Sequence, residues 1–244
     1  MRTLLFLPLL APLAAGADAT LVLEGTGESP VITIQVRDGM ARMQAVGSRD
    51  YMVYDSRRDL MFVVEPENGH YMEVDRDTLE RAGRAMASQR EMMKQQLARL
   101  PPEQRAQAME EMGLDDSPVE VRPGATRKVA GIRCREHTVL RGGTRLGSAC
   151  LASAHALGIG QADFRTLRRM QGMMRRLSAL EGPGKTDPVL LVEGGVPVAG
   201  TDALSGDRFE LQSLSTSRIN AALFSDYTRY RRRRMAEELP PELQ

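Results

Sequence analysis

The residues of this 244-residue chain that could do chemistry are three histidines, two cysteines, 15 methionines and a large excess of arginine over lysine. His70, His137 and His155 fall in separate segments, with no H-E-x-x-H pair and no nucleophile at matching spacing, so they frame neither a zinc helix nor a catalytic dyad. There is no G-x-S-x-G elbow or phosphate loop. Gly142-Gly143 and Gly194-Gly195 read as turns, and Asp115-Asp116 beside Ser117-Pro118 reads as loop. Cys134-Arg135-Glu136-His137 offers a C-x-x-H metal spacing, but residues 134 and 137 of a strand point to opposite faces. An enzyme is the least supported class, and no catalytic residue, metal or cofactor is expected.

The cysteines have a better use. Cys134 and Cys150 centre on residue 142, inside Arg141-Gly142-Gly143. A hairpin with that three-residue loop pairs Leu140 with Thr144 and sets the two cysteines directly opposite. Opposed strand cysteines are close enough to bridge. The reading is a Cys134–Cys150 disulfide stabilising by about 2 to 3 kcal/mol. An oxidising compartment favours it over the metal site.

Methionine collects on predicted helices at Met86, Met92, Met93, Met109, Met112, Met170, Met173 and Met174. Core packing explains such a stripe. An adaptable apolar surface for acyl chains or partner segments explains it too, and thioethers also suit Cu(I). Met86, Met93, Leu97, Met170 and Met174 are the candidate hydrophobic-ligand residues. Arginine clusters at Arg165, Arg168, Arg169, Arg175 and Arg176, and again at Arg229 and Arg231 to Arg234. Either run serves as a solvated surface, or as a contact for lipid phosphates or an acidic partner through Arg168, Arg169, Arg175, Arg176, Arg231 and Arg232.

Composition limits what these groups serve. With 33 basic against 32 acidic residues, no Trp and only ten Phe and Tyr, the chain lacks the charge and stacking rings of a nucleic-acid binder. Neutrality is a cancellation, because residues 65 to 116 carry 12 acids against seven bases while the arginine runs lie elsewhere. Arg2, the apolar run Leu4 to Ala15 and Ala15-Gly16-Ala17 have the form of a secretory signal peptide cleaved near Ala17. Its 12-residue run is short of the roughly 20 that span a bilayer, and no later segment is apolar enough. The mature protein is expected in the periplasm with no transmembrane segment.

The elements that must position these groups alternate with turn chemistry. Leu21–Gly25, Val31–Arg37, Met40–Val46, Tyr51–Asp55, Leu60–Glu65 and His70–Val74 read as a six-strand meander, marked by Asp38-Gly39 and Asn68-Gly69. Apolar spacing then becomes helical, with a cap read at Asp77, giving a helical insert over about 76–113 broken by Pro101-Pro102. Strands Arg127–Leu140 and Thr144–Ala152 follow, then a helix over about 162–181. Val189–Glu193, Val196–Gly200 and Arg208–Ser217 close as strands. The expected fold is α+β, a large curved antiparallel sheet, an open half-barrel, with helices packed on its concave face. One domain covers 18–225, followed by a basic tail at 226–244.

The run Val129-Ala130-Gly131-Ile132-Arg133-Cys134-Arg135-Glu136-His137, a Gly-rich turn and Cys150-Leu151-Ala152 resembles the central hairpin of an uncharacterised family of secreted bacterial proteins. That family in turn resembles the half-barrel of periplasmic lipoprotein carriers. Gly195-Val196-Pro197-Val198, the strand from Arg208 and the Tyr54-Asp55 to His70-Tyr71-Met72 meander fit the same pattern. The resemblance implies a lipid-like or lipoprotein ligand in a cavity, with no chemistry. Leu100-Pro101-Pro102-Glu103-Gln104-Arg105 is similar to the Leu-Thr-x-x-Gln motif of small helical periplasmic chaperones, which implies instead an envelope protein-interaction or chaperone-like factor.

Overall fold

In a computed structural model, residues 18–26, 30–112, 114, 117–180 and 187–235 are described. The signal-peptide stretch 1–17 and residues 236–244 lie outside them. The meander forms as β1 (Ala19–Gly25), β2 (Ile32–Arg37), β3 (Met40–Ala45), β4 (Tyr51–Asp55), β5 (Leu60–Glu65) and β6 (His70–Asp75). At Asp38-Gly39 both φ angles are positive, 50° and 81°, the backbone that a two-residue hairpin turn demands. Helix α1 (Arg76–Leu97) is capped ahead of the position its sequence suggested. The Asp75 carboxylate accepts the Thr78 N–H at 2.7 Å, and Asp77 lies inside the first turn. Helix α2 (Pro102–Glu111) begins on the second proline of the pair, where a missing N–H costs nothing.

After the helices come β7 (Val119–Val129), β8 (Ile132–Arg141), β9 (Thr144–Ala152), α3 (Ala154–Leu157) and α4 (Gln161–Ser178). The single strand expected over Arg127–Leu140 is two, because Ala130 and Gly131 take positive φ and turn the chain. Val189–Glu193 is likewise not a strand. Pro188–Leu191 is a 3-10 turn capped by the Asp187 carboxylate, which accepts the Val189 N–H at 2.8 Å. The chain ends in β10 (Val196–Asp202), β11 (Arg208–Ser215), two 3-10 turns and β12 (Arg231–Arg234).

All twelve strands join one sheet in the order β12-β6-β5-β4-β3-β2-β1-β11-β10-β9-β8-β7. This corrects the antiparallel half-barrel. The sheet is mixed, since β12 runs parallel to β6, and it is not closed into a barrel. The physical reason is the arginine run, which binds the β6 edge through its backbone instead of fraying as a tail. Helix cover is also partial. Helix α4 packs on β2, β3 and β10, burying Phe164, Leu167, Met170 and Met173, while α1 buries only Thr78, Leu79, Ala82 and Leu97.

The face of the meander opposite α4 is closed by the C-terminal segment. Tyr227 joins Tyr51, Val53, Phe62, Val64 and Tyr71 in a second apolar cluster. Around it, Asp226 accepts the Tyr51 hydroxyl at 2.5 Å and the Arg42 guanidinium at 3.0 Å, and Arg42 also donates to the Leu223 carbonyl at 2.7 Å. Burial, with the Asp226 bond next, pushes the Tyr51 phenol above its ordinary pKa. The Arg232 guanidinium meets Glu73 at 2.7 Å.

Candidate functional site

The disulfide is present, with Cα atoms 5.4 Å apart, but its register differs from the expected one. Gly142-Gly143 make a two-residue turn, so Arg141 pairs with Thr144, and an irregularity between Val139 and Leu140 shifts the ladder further. Cys134 therefore faces Ala152 and Cys150 faces Glu136, and the bridge runs diagonally across the pair. Each sulfur is buried, and two cavities flank the bridge.

The larger cavity is a groove of about 700 Å³ on the sheet face opposite α4, since Glu24 alternates with the core residues Leu21 and Leu23. Opposed residues of a ladder share a face, and the pairs Arg127–Cys134, Glu136–Cys150, Cys150–Ala199, Ala199–Glu210 and Glu210–Glu24 carry one face from β7 to β1. Its floor is Cys150 and Ala199, with Ser148 and Thr201 hydrogen-bonded at 2.8 Å. Arg127 of β7 closes one end, donating to Glu136 at 2.7 Å and reaching Glu210 of β11 at 3.6 Å. β7 and β11 are four strand spacings apart in the sheet, roughly 19 Å if it were flat. The ion pair exists because the sheet bends sharply over these strands. Glu24 and Gln212, hydrogen-bonded to each other, line the other wall with Arg208.

The second cavity, about 570 Å³, is lined by Thr126, Lys128, Arg133 and Arg135 from the β7–β8 hairpin together with Ser153 and His155. Lys128 opposes Arg133 and Thr126 opposes Arg135, so these four side chains project from the face opposite Arg127 and Glu136.

The residues singled out from sequence fall elsewhere. Met170 is buried and Met174 partly buried in the main core, beside Met173, which is fully buried. Leu97 is buried and Met86 and Met93 are half-buried on α1. None of these lines either cavity beside the bridge. The arginines are dispersed. Arg169 donates to the Ser56 carbonyl at 3.0 Å and Arg176 to the Gly172 carbonyl at 3.4 Å. Arg175 bonds Glu193 and holds that carboxyl below the usual range, with Arg168 beside it. Arg231 and Arg232 belong to β12, at the far edge of the sheet. The histidines are not gathered either, and among the described residues no three His, Cys, Asp or Glu side chains come together to hold a metal. Sequence reading passed over Arg127, Lys128, Arg133, Arg135, Glu136 and Glu210. Charges at positions 133 and 135, and at the neighbours 127 and 128, were the available signal, since alternate positions in a strand sort charges onto two faces.

No helix among the described residues is long and apolar enough to cross a membrane. No family model matches the chain, and no curated protein matches it. Among solved structures it is similar to an uncharacterized conserved protein from Thermus thermophilus, at 6% identity and a TM-score of 0.42 over 89% of this chain and 90% of that one. It is similar to PNGF-II at 8% identity and a TM-score of 0.42, over 90% of this chain and 31% of that one. The Pseudomonas aeruginosa MucA/MucB complex gives 13% identity and a TM-score of 0.38, over 93% of this chain and 62% of that one. Likeness at this level assigns neither a family nor a function.

Proposed function

We propose that this is an exported, non-enzymatic binding protein of the periplasm that takes an extended polypeptide segment of mixed charge into the groove between β7 and β11. The observation that carries the reading is the Arg127 bridge from Glu136 to Glu210. It frames a 700 Å³ groove on the sheet face that α4 does not cover. Concave sites with a few convergent polar groups are where ligands bind. Ser148, Thr201 and Gln212 suit the N–H and C=O groups of a peptide, while Glu24, Glu136, Glu210, Arg127 and Arg208 suit its charged side chains. An acyl chain in the same place would strand those charges without water or partner. Arg127 pairs with both Glu136 and Glu210, and no reaction is assigned to them. Export is supported by the N-terminal leader pattern and by a disulfide, which persists in oxidising compartments.

The test uses exported, isotope-labelled protein and the probe acetyl-Val-Lys-Val-Glu-Val-Lys-amide, followed by amide chemical shifts. Saturable shifts at Glu136, Cys150 and Glu210 are expected, and Gln212→Trp, whose ring would fill the groove from its exposed rim, abolishes them. Unmoved amides sink the reading. Shifts produced by palmitate and not by the peptide would replace it with a lipid-like ligand.

A further inference from the structure

The β7–β8 hairpin treats its charges differently on its two faces. On the groove face Arg127 is neutralised by Glu136 and Glu210, and along β7 Arg122 is neutralised by Glu120. On the other face Lys128 and Arg133 stand directly opposite each other, with Arg135 one pair further along. Among the described residues no carboxylate lies within ion-pair distance of these three; Arg135 has only a hydrogen bond to the Gly124 carbonyl, at 3.4 Å. Like charges directly opposed across an antiparallel pair are destabilising. The three cations border one cavity of about 570 Å³, together with the Ser153 hydroxyl and the His155 ring. Ser153 Oγ accepts the Ala156 N–H at 3.2 Å, which leaves its own proton to donate.

We infer that this cleft binds a phosphoryl group. Every polar group that lines it can donate, and the guanidinium fork of Arg133 matches two phosphoryl oxygens while Lys128 supplies a point charge. The volume exceeds what one tetrahedral phosphate fills, so the site has room for the second phosphate of a pyrophosphate or for the group to which a phosphate is esterified. An anion seated there removes the repulsion between Lys128 and Arg133. The cleft and the groove use opposite faces of the hairpin, so neither assignment depends on the other.

Calorimetric titration with inorganic pyrophosphate at fixed ionic strength tests the site. Saturable binding is expected, weakened roughly tenfold or more by Arg133→Gln or Lys128→Gln, the loss of one charge-assisted bond. Both side chains are exposed, so the substitutions leave the core alone. Arg122→Gln, on the same hairpin but outside the cleft, leaves binding unchanged. Sedimentation with phosphatidylglycerol vesicles, against phosphatidylcholine, identifies the source of the group. Vesicle binding lost in Arg133→Gln points to a lipid headgroup, and pyrophosphate binding without vesicle binding points to a soluble phosphate compound. No binding of either, or an equal loss in Arg122→Gln, overturns the site.

Discussion

The ring of Tyr227 lies flat on Phe62, with centroids 4.2 Å apart and planes 16° from parallel, while Tyr71 meets both rings edge-on. Phe62 faces away from α4, so this contact joins the C-terminal segment to the side of the meander that the helices do not reach. Removing the ring leaves a hole in a cluster of six buried residues. Tyr227→Ala should cost about 3 kcal/mol in urea unfolding, the usual range for a buried aromatic. An unchanged midpoint would mean that the segment contributes nothing to stability.

The Cys134–Cys150 bridge closes a loop with a sequence separation of 16. For a loop of that size, replacing both cysteines with serine should lower unfolding free energy by about 3 kcal/mol. Denaturation with and without reductant, in the native protein and the double variant, measures it. Reductant should bring the native protein to the variant's stability and leave the variant unaffected.

Much of this arrangement could be read in the sequence, for identifiable reasons. Tyr51–Asp55, Leu60–Glu65 and Thr144–Ala152 form strands with the expected bounds, because apolar alternation and flanking turn residues agree there. The cysteine partners were legible from their spacing. Their register was not, since the irregularity between Val139 and Leu140 leaves no mark in composition. β7 was hidden because its apolar alternation lasts only from Val119 to Arg122 before Pro123-Gly124 interrupts it, and ten of its eleven residues are exposed. β12 was hidden for a related reason, as four arginines carry no hydrophobic signal and pair through backbone alone. The groove was missed because its residues come from six strands, and only the bend of the sheet brings Arg127 to Glu210.

Asp163, on the first turn of α4, is 4% exposed and is held above its ordinary pKa by burial, against the opposing effect of the Gly39 N–H it accepts. A carboxyl whose pKa rises on folding stabilises the fold at low pH and loses that contribution as pH climbs through its folded pKa. Asp163→Asn keeps the oxygen that accepts the Gly39 N–H and cannot ionise. The variant should match the native protein in stability at acidic pH and surpass it above the carboxyl's folded pKa. A difference that stays constant with pH would mean that the Asp163 pKa does not rise on folding.

Met173 is fully buried in the main core, whereas Met92 on α1 is 59% exposed. Met173→Ala should cost about 3 kcal/mol, and Met92→Ala should stay within about 0.5 kcal/mol. Thermal or urea unfolding of the two variants separates methionine used for packing from methionine left at the surface.

The strap that closes the β6 edge also sets the order of folding. Asp18 accepts the Ile219 N–H across 201 positions of sequence, and Asp226 reaches Arg42 across 184. Such contacts are among the most non-local a chain of this length can make, and closing loops of that span is slow. Early strands must wait with one edge unpaired until distant residues arrive, and an open edge invites other chains. Refolding should therefore end in a slow phase reported by the Tyr227 environment, after the meander's own hairpins have formed.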